Sequence, residues 1–373
     1  MAENAEKQLH ILMLPWLAMG HLLPFFELSK RLAKNGHRVS FLSSPGNLSR
    51  LPSLPPSISH LLELVPCPLP IIDNLPAHVE STVDLPSDDV RPFLSQAYLS
   101  FEHHLADFLD DPSRPTKPDW IIYDIIATTW VPKLASQHGL RCAYFSLFNA
   151  AALSFFGKYA GYESSEELTV LPEWIPFAST VVFTPFEARQ IFQILPNKSK
   201  KSDSDKSWRD KFMAIRTCRE FEPEWLDLLG KIHEGFLILP VGFLSPSFHG
   251  DVESEAWGRI AAWLDRKEPG SVLFAAFGSE VKFTTEQIEE IASGLENSGV
   301  PFVWALREGS PPDWFPERIG ERGIVVEGWV PQVRVLSHSS VGVFLTHGGW
   351  NSIVEGLTAG WLLWCCPCSS NRG

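Results

Sequence analysis

The segment Trp329–Glu355 reads WVPQVRVLSHSSVGVFLTHGGWNSIVE and predicts a strand, a tight turn and a helix in immediate succession. The apolar run Val341–Thr346 is typical of a buried strand, and the two glycines that follow His347 predict the turn. We expect the helix to begin near Trp350. Such a turn exposes backbone N–H groups at the positive end of a helix, where glycines let the main chain approach an anion closely. The segment therefore predicts a phosphate-binding site in an α/β sheet.

Side chains of the same segment suit the other parts of a nucleotide. The flat indole of Trp329 and the amide of Gln332 can stack on, and hydrogen-bond to, a planar base. Glu355 lies one helical turn beyond the start of the helix, where its carboxylate can accept bonds from ribose hydroxyls. The donor side chains nearest the turn are those of His347, Asn351 and Ser352. The alternative is a buried strand-turn-helix unit whose polar side chains bind no ligand.

A second candidate site follows the first strand, in the stretch HILMLPWLAMGHLLP from His10 to Pro24. The apolar strand Leu9–Leu14 leads into a loop, and His21 stands where an amphipathic helix begins. Ligands gather outside the carboxyl ends of strands in doubly wound sheets, and a histidine there can take a proton from an attacking hydroxyl. Taken alone, a single histidine at a helix start is more often a cap or a surface group.

Asp124 is the candidate partner for His21 because it ends the apolar run Trp120–Tyr123, whose composition is typical of a buried parallel strand. An ionised carboxylate in that position needs a partner, and it can hold an imidazole in one tautomer and stabilise its charged form. The alternative is a helix N-cap for the residues from Ala127 onward, a role that aspartate fills well.

A third turn, Phe277-Gly278-Ser279, follows the predicted strand Ser271–Ala276. Its small residues place a backbone N–H and a hydroxyl at the carboxyl end of a strand, where they can contact phosphate. By its spacing alone, this segment is as often an ordinary tight turn as a phosphate-binding one. The chain contains neither G-x-G-x-x-G nor G-x-x-x-x-G-K-[ST], so a nicotinamide dehydrogenase or a P-loop nucleotidase lacks its sequence signature.

Length and composition predict two α/β domains. A chain of 373 residues, 45% of them hydrophobic, is long for one core, and short apolar strands alternate with helical patterns throughout. We place the boundary between residues 243 and 244, inside the Gly-, Pro- and Ser-rich linker Pro240–Ser254, so that the domains span residues 1–243 and 244–373. A net charge of −13 argues against a general nucleic-acid binder.

The sequence also predicts the cellular location of the protein and whether it has a transmembrane segment or a metal site. No basic and then apolar leader opens the chain, and no apolar run reaches the roughly 20 residues that span a bilayer. We therefore expect a cytoplasmic enzyme without a transmembrane segment. Three of the six cysteines stand at positions 365, 366 and 368, but no second Cys/His pair follows at zinc spacing, so we expect buried free thiols and no metal.

The periodicity of apolar residues predicts most of the regular structure. A Pro-rich loop is expected over Leu51–Pro76, and a polar loop over the run NKSKKSDSDKS that begins at Asn197. The predicted strands are Leu9–Pro15, Arg38–Ser43, Trp120–Tyr123, Arg141–Phe145, Gly235–Leu239, Ser271–Ala276, Pro301–Ala305 and Val341–Thr346. The predicted helices are Leu22–Lys34, Val90–Leu109, Thr128–His138 and Thr284–Ser298.

The segment that begins at Trp329 closely resembles the signature box of the plant UDP-dependent glycosyltransferases, which glycosylate small secondary metabolites. The resemblance extends over the whole chain. The residues that stand at the family's spacing are Trp329, Gln332, His338, Gly342, Phe344, Thr346, His347, Gly348, Trp350, Asn351, Ser352, Glu355, Gly360 and Pro367. It implies the GT-B fold, in which two Rossmann-like domains face one another across a cleft.

The resemblance also implies how the work is divided between the domains. The N-terminal domain would bind the acceptor, with His21 as general base and Asp124 as its partner. The C-terminal domain would bind the UDP-sugar. The donor-binding residues carried over from the family are Ser279, Trp329, Val330, Gln332, His347, Trp350, Asn351, Ser352 and Glu355. The implied reaction is a direct displacement that inverts the anomeric centre and needs no metal or cofactor.

Two further stretches of sequence indicate which branch of the family the chain resembles. The stretches LPWLAMGHLLPF and FGSE look most like the branch that adds a sugar to an existing sugar, such as flavonoid- or saponin-glycoside rhamnosyl- and glucosyltransferases. The partners implied are a UDP-sugar and a small-molecule acceptor, bound by a monomer.

The last residues depart from the family's pattern. Members end the box with an acidic residue and a glutamine that hold sugar hydroxyls, and Asn371 and Arg372 stand there in this sequence. Arginine cannot accept a hydrogen bond. Family members also continue for several further helices, so the resemblance implies an incomplete C-terminal domain. The alternative to an active glycosyltransferase is therefore a truncated, catalytically impaired variant that retains at most ligand binding.

Overall fold

The chain alternates strands and helices in two units that divide after Leu244. The computed structural model describes residues 7–114, 116–157, 161–194, 212–246 and 255–365. Several predicted features lie outside these residues: the polar run that begins at Asn197, Cys366, Cys368, the replaced pair Asn371 and Arg372, and most of the predicted linker.

The first unit contains a seven-stranded parallel sheet with the order β3-β2-β1-β4-β5-β6-β7. Its strands are β1 (His10–Leu14), β2 (Arg38–Ser43), β3 (Leu62–Pro66), β4 (Trp120–Tyr123), β5 (Arg141–Ser146), β6 (Phe212–Ile215) and β7 (Leu237–Pro240). The strand order reverses direction between β1 and β4, which pair directly. That point is the topological switch of a doubly wound sheet, where ligands of such folds bind.

Helices connect these strands and cover both faces of the sheet. They are α1 (Met19–Lys34), α2 (Pro45–Ser49), α3 (Arg91–Tyr98), α4 (Phe101–Asp110), α5 (Val131–Gln137), α6 (Ala150–Phe156), α7 (Pro185–Ile194) and α8 (Pro223–Ile232). Short 3₁₀ turns occupy Thr82–Asp84, Asp88–Val90, Ile125–Thr129 and Ser165–Thr169.

Alternate residues of β1 belong to two separate cores. Leu12 and Leu14 pack with one group of buried residues, and Ile11 and Met13 pack with another. All four are at most 4% exposed, so the strand is apolar on both faces and reads as a continuous hydrophobic run. Complete burial of one such side chain stabilises the fold by about 1.5–3 kcal/mol.

The second unit repeats the architecture on a smaller scale. Its parallel sheet has the order β10-β9-β8-β11-β12, with strands β8 (Val272–Ala276), β9 (Phe302–Leu306), β10 (Gly323–Glu327), β11 (Val341–Thr346) and β12 (Leu362–Cys365). The helices are α9 (Glu255–Leu264), α10 (Thr285–Asn297), α11 (Phe315–Ile319), α12 (Gln332–Leu336) and α13 (Trp350–Ala359). A short 3₁₀ turn spans Gly320–Arg322. The switch point lies between β8 and β11, and the predicted fold of two Rossmann-like domains is confirmed.

Two predictions of secondary structure in the first unit were wrong. The segment Leu51–Pro76 is not wholly a loop, because Leu62–Pro66 pairs with β2 as the edge strand β3. The predicted helix Val90–Leu109 is divided into α3 and α4 at Leu99 and Ser100. There the Ser100 hydroxyl donates to the Ala97 carbonyl at 2.7 Å, and the local backbone hydrogen bonds join residues three apart, as in a 3₁₀ turn.

Other differences are smaller. The predicted helix over Thr128–His138 is α5, preceded by the 3₁₀ turn Ile125–Thr129, and the predicted strand Gly235–Leu239 begins at Leu237. The periodicity did not predict strands β6, β10 and β12. Cys365, expected to be a buried thiol, is exposed on β12. Within the described parts of the chain, no helix combines the length and the apolar character needed to cross a membrane.

Candidate active site

His21 and Asp124 meet at the switch point of the first sheet. His21 lies in the first turn of α1, where its backbone N–H donates to the Ala18 carbonyl, and Asp124 directly follows β4. Because β1 and β4 are parallel neighbours with Leu14 opposite Tyr123, the two loops leave the sheet at the same edge. His21 Nδ1 lies 2.7 Å from Asp124 Oδ2. The side chain of the histidine is 21% exposed and that of the aspartate 2%.

The carboxylate of Asp124 is held by main-chain donors as well as by the histidine. Its Oδ2 accepts from the backbone N–H of Trp16 at 2.9 Å, and its Oδ1 accepts from that of Ile125 at 2.7 Å. An ionised carboxylate can only accept hydrogen bonds, so Nδ1 of His21 must carry the proton between the two side chains. The proton-accepting nitrogen of the neutral imidazole is then Nε2. Asp124 pairs with the histidine and also caps the 3₁₀ turn Ile125–Thr129, whereas the helix α5 that follows has Trp130 as its N-cap.

Apolar side chains adjoin this pair. The Phe148 ring meets the His21 ring edge to face with 6.4 Å between centroids, and Phe148 is 42% exposed. Ile125, next to Asp124, is 37% exposed. Phe148 was not among the residues predicted from the sequence, although Asn149 followed by AAALSFF is a recognisable N-cap signal that places Phe148 at the carboxyl edge of the sheet.

The position of Phe148 is fixed by the start of α6. The Asn149 side chain accepts from the backbone N–H of Ala152 at 2.8 Å and caps the helix. The buried carboxylate of Glu222 accepts from the N–H groups of Ala150 and Ala151 at 3.0 and 2.9 Å. This role of Glu222 was not predicted from the sequence, because its partners lie about 70 residues away and no local pattern connects them.

The second unit presents the predicted nucleotide residues at the carboxyl edge of its own sheet. Gly278 and Ser279 follow β8, and His347 follows β11, which pairs with β8. Two glycines leave room for the imidazole: a Cβ at Gly278 would lie 2.5 Å from His347 Cε1, and one at Gly349 would lie 2.4 Å from Nε2. Gly278 and Gly348 have φ of +86° and +78°, in the left-handed region that favours glycine.

Helix α13 begins as predicted at the turn. Gly349 is its N-cap, Trp350 and Asn351 occupy its first turn, and Ser352 is 4% exposed. The first-turn N–H groups of a helix have no intrahelical partner and attract an anion. The helix ends at Gly360, whose φ is +79°.

Three residues of the box, Trp329, Val330 and Gln332, lie on or beside α12. Trp329 is 57% exposed, whereas Val330 is 7% exposed and its carbonyl accepts from the Gln332 backbone at 2.8 Å. The Gln332 amide donates to Glu355 Oε2 at 2.8 Å and lies 3.5 Å from the Ser352 hydroxyl. The structure thus brings the base-binding and ribose-binding candidates into one cluster. In the described ranges, no group of three or more His, Cys, Asp or Glu side chains is arranged to hold a metal ion.

Comparisons with known proteins identify the family to which the chain is related. The family profile described as UDP-glucoronosyl and UDP-glucosyl transferase matches residues 258–371. UDP-glycosyltransferase 91C1 of Arabidopsis thaliana is 42% identical over 372 residues, which cover 96% of this chain and 79% of that protein. Soyasaponin III rhamnosyltransferase of Glycine max is 37% identical over 380 residues, covering 97% and 79% of the two chains. The crystal structure of Arabidopsis thaliana UGT89C1 complexed with UDP has a TM-score of 0.74 at 27% identity and covers 96% of this chain and 79% of that one.

Proposed function

The chain belongs to the plant UDP-glycosyltransferase family, and we propose that it transfers a sugar from a UDP-sugar to a hydroxyl of a small metabolite or its glycoside, with inversion. One observation carries the catalytic part of the proposal. The 2.7 Å contact between His21 and the buried Asp124 sets the tautomer of a histidine that is still partly exposed. Such a pair is suited to remove a proton from a hydroxyl as that hydroxyl attacks.

The proposed step forms one bond and breaks one. The acceptor oxygen attacks the anomeric carbon of the donor sugar, and its proton passes to Nε2 of His21. The bond between that carbon and the diphosphate oxygen breaks on the opposite face, so UDP leaves with the electron pair and the configuration inverts. Asp124 stabilises the imidazolium that results, since its carboxylate already accepts the Nδ1 hydrogen.

The residues of the second unit would hold the nucleotide part of the donor. The base would stack on Trp329 and contact the main chain at Val330, and the ribose hydroxyls would bind Glu355 beside Gln332. This assignment is supported by the exposed indole and by the contact between the amide and the carboxylate.

The diphosphate would lie at the start of α13. Backbone N–H groups there and the imidazole of His347 would stabilise the charge that grows on the leaving group. The remaining residues proposed to contact this part of the donor are Ser279, Trp350, Asn351 and Ser352. These groups supply the electrostatic stabilisation that the reaction needs, so the proposal assigns no step to a metal ion or cofactor.

The acceptor would be a molecule with an apolar part and a free hydroxyl. Phe148 and Ile125 are exposed beside the catalytic pair, and burying such surface against a ligand is favourable. A relative of similar sequence is called soyasaponin III rhamnosyltransferase. We therefore propose flavonoid or saponin glycosides as acceptors and glucose or rhamnose as the transferred sugar.

The test is a transfer assay with the full chain. UDP-glucose and UDP-rhamnose are each offered with a flavonoid glycoside and a saponin glycoside, and products are identified by mass and by NMR. The proposal predicts a new glycoside with the anomeric configuration opposite to that of the donor. Retained configuration would contradict the displacement mechanism, and UDP binding without any product would support the ligand-binding alternative.

A further inference from the structure

The guanidinium of Arg307 lies over the ring of Trp329. Its central carbon is 4.9 Å from the ring centroid, within the range of a cation–π contact. Trp329 is 57% exposed, so much of its surface remains accessible to a ligand beside the arginine. Arg307 was not among the residues that the sequence predicted for nucleotide binding.

The main chain of two neighbouring strands sets up this contact. Leu306 ends β9 and pairs with Glu327 at the end of β10, and the backbone N–H of Gly328 donates to the Leu306 carbonyl at 2.9 Å. Gly328 has a φ of +89°, which lets the chain turn before Trp329. Both side chains therefore leave the carboxyl edge of the sheet directly after adjacent strands, so the sheet brings them into contact.

We propose that Arg307 is a positioning residue for the nucleotide, which holds one face of Trp329 so that the opposite face is ready to receive the base. This inference rests on the proposed function. An exposed indole without such a contact would lose rotamer freedom when the base stacked on it. A planar guanidinium fixes the ring in advance and reduces that cost.

The competing explanation is a direct contact between Arg307 and the diphosphate. The two explanations predict different changes in the affinities for uridine and for UDP. An arginine that acts through the indole lowers the affinity for uridine and for UDP by the same factor. An arginine that binds phosphate lowers the affinity for UDP and leaves that for uridine unchanged.

The experiment measures dissociation constants of UDP and uridine for the full chain, by calorimetry for tight complexes and by ligand-observed NMR for millimolar ones. Arg307→Met removes the charge and keeps a long side chain. The matched control is Arg318→Met. Arg318 lies on α11, and its guanidinium is 5.1 Å from the ring centroid of Trp314, the residue just before that helix. Thermal unfolding of each variant reports any change in stability.

We expect Arg307→Met to raise the dissociation constants of UDP and uridine by a common factor of roughly two to five, as for the loss of a cation–π contact at a partly exposed site. Arg318→Met should bind like the parent protein. In a Trp329→Ala background, the Arg307 substitution should have no further effect, because its target is gone. Unchanged affinity in Arg307→Met, or a loss confined to UDP, would overturn the inference. Failure of the parent to bind UDP would instead overturn the proposed function, and this inference with it.

Discussion

His21 Nδ1 lies 2.7 Å from Asp124 Oδ2 although 103 residues separate them in the sequence. Their loops meet because β1 and β4 are the central pair at which the strand order reverses. The carboxylate is anchored on both oxygens by the N–H groups of Trp16 and Ile125. The fold therefore positions the proposed base before any ligand binds, which is the preorganisation that efficient proton transfer requires.

Asp124→Asn is expected to lower turnover by roughly 10- to 100-fold, since a charge-assisted hydrogen bond is worth about 1.5–3 kcal/mol. The amide cannot accept on both of its polar atoms, so one backbone N–H loses its partner and stability falls by about 1–3 kcal/mol. Initial rates and thermal unfolding measure the two effects. The exposed control, Asp73→Asn, should change neither. Turnover equal to that of the parent would show that the carboxylate does not assist the histidine.

Phe148→Ala is expected to raise the KM for the acceptor, up to about tenfold, because part of an aromatic contact surface is removed. The KM for the UDP-sugar should not change, because the donor residues belong to the other unit. Leu237→Ala is a suitable control, since Leu237 is also exposed but lies at the amino end of the edge strand β7. A rise in the donor KM with a constant acceptor KM would contradict the assignment.

Gly278→Ala is expected to weaken UDP binding by about tenfold or more, which is the effect of losing one charge-assisted bond to phosphate. The new methyl group would lie 2.5 Å from His347 and displace its ring. Gly270→Ala is the matched control, because its φ of +68° imposes similar backbone strain while no atom lies within 4 Å of the added Cβ. Calorimetric titration with UDP decides the matter. Equal losses in both variants would attribute the effect to strain alone.

His10 provides a pH-dependent contribution to stability that is separate from catalysis. Burial, followed by the charge of Arg38, lowers the pKa of His10 below its usual 6.5. Its Nε2 lies 2.9 Å from the Ser40 hydroxyl. Because the unfolded chain binds the proton more readily, stability is complete above pH 6.5 and is lost as pH falls towards the lowered pKa. The free energy of unfolding should therefore depend less on pH below about 6.5 in His10→Gln than in the parent protein. Identical pH dependence in both proteins would contradict this.

The sequence was sufficient to predict the site residues that follow apolar strands. His21 and Asp124 follow strands of the first sheet, and Ser279 and His347 follow strands of the second; within each sheet, parallel strands bring their carboxyl ends to the same edge. Thr284 and Gln287 form a capping box that marks the start of α10.

The remaining features depend on contacts between distant segments. The hydrogen bonds of Glu222 to α6 and the contact of Arg307 with Trp329 arise from strand register, which composition does not encode. In edge strand β3 only Leu62 is buried, and several prolines stand nearby, so its pattern resembles a loop until β2 supplies its partner. The space that Gly278 leaves for His347 is equally invisible in the sequence, because the two loops are about 70 residues apart.

The most direct test of the central claim is the turnover of His21→Ala, measured at saturating UDP-sugar and acceptor beside the parent and the exposed control His60→Ala. A positioned general base contributes roughly 100- to 10,000-fold to the rate. We predict that turnover falls by a factor in that range in His21→Ala, while its affinity for UDP and the activity of His60→Ala equal those of the parent. Parental turnover in His21→Ala would contradict the assignment of His21 as the base.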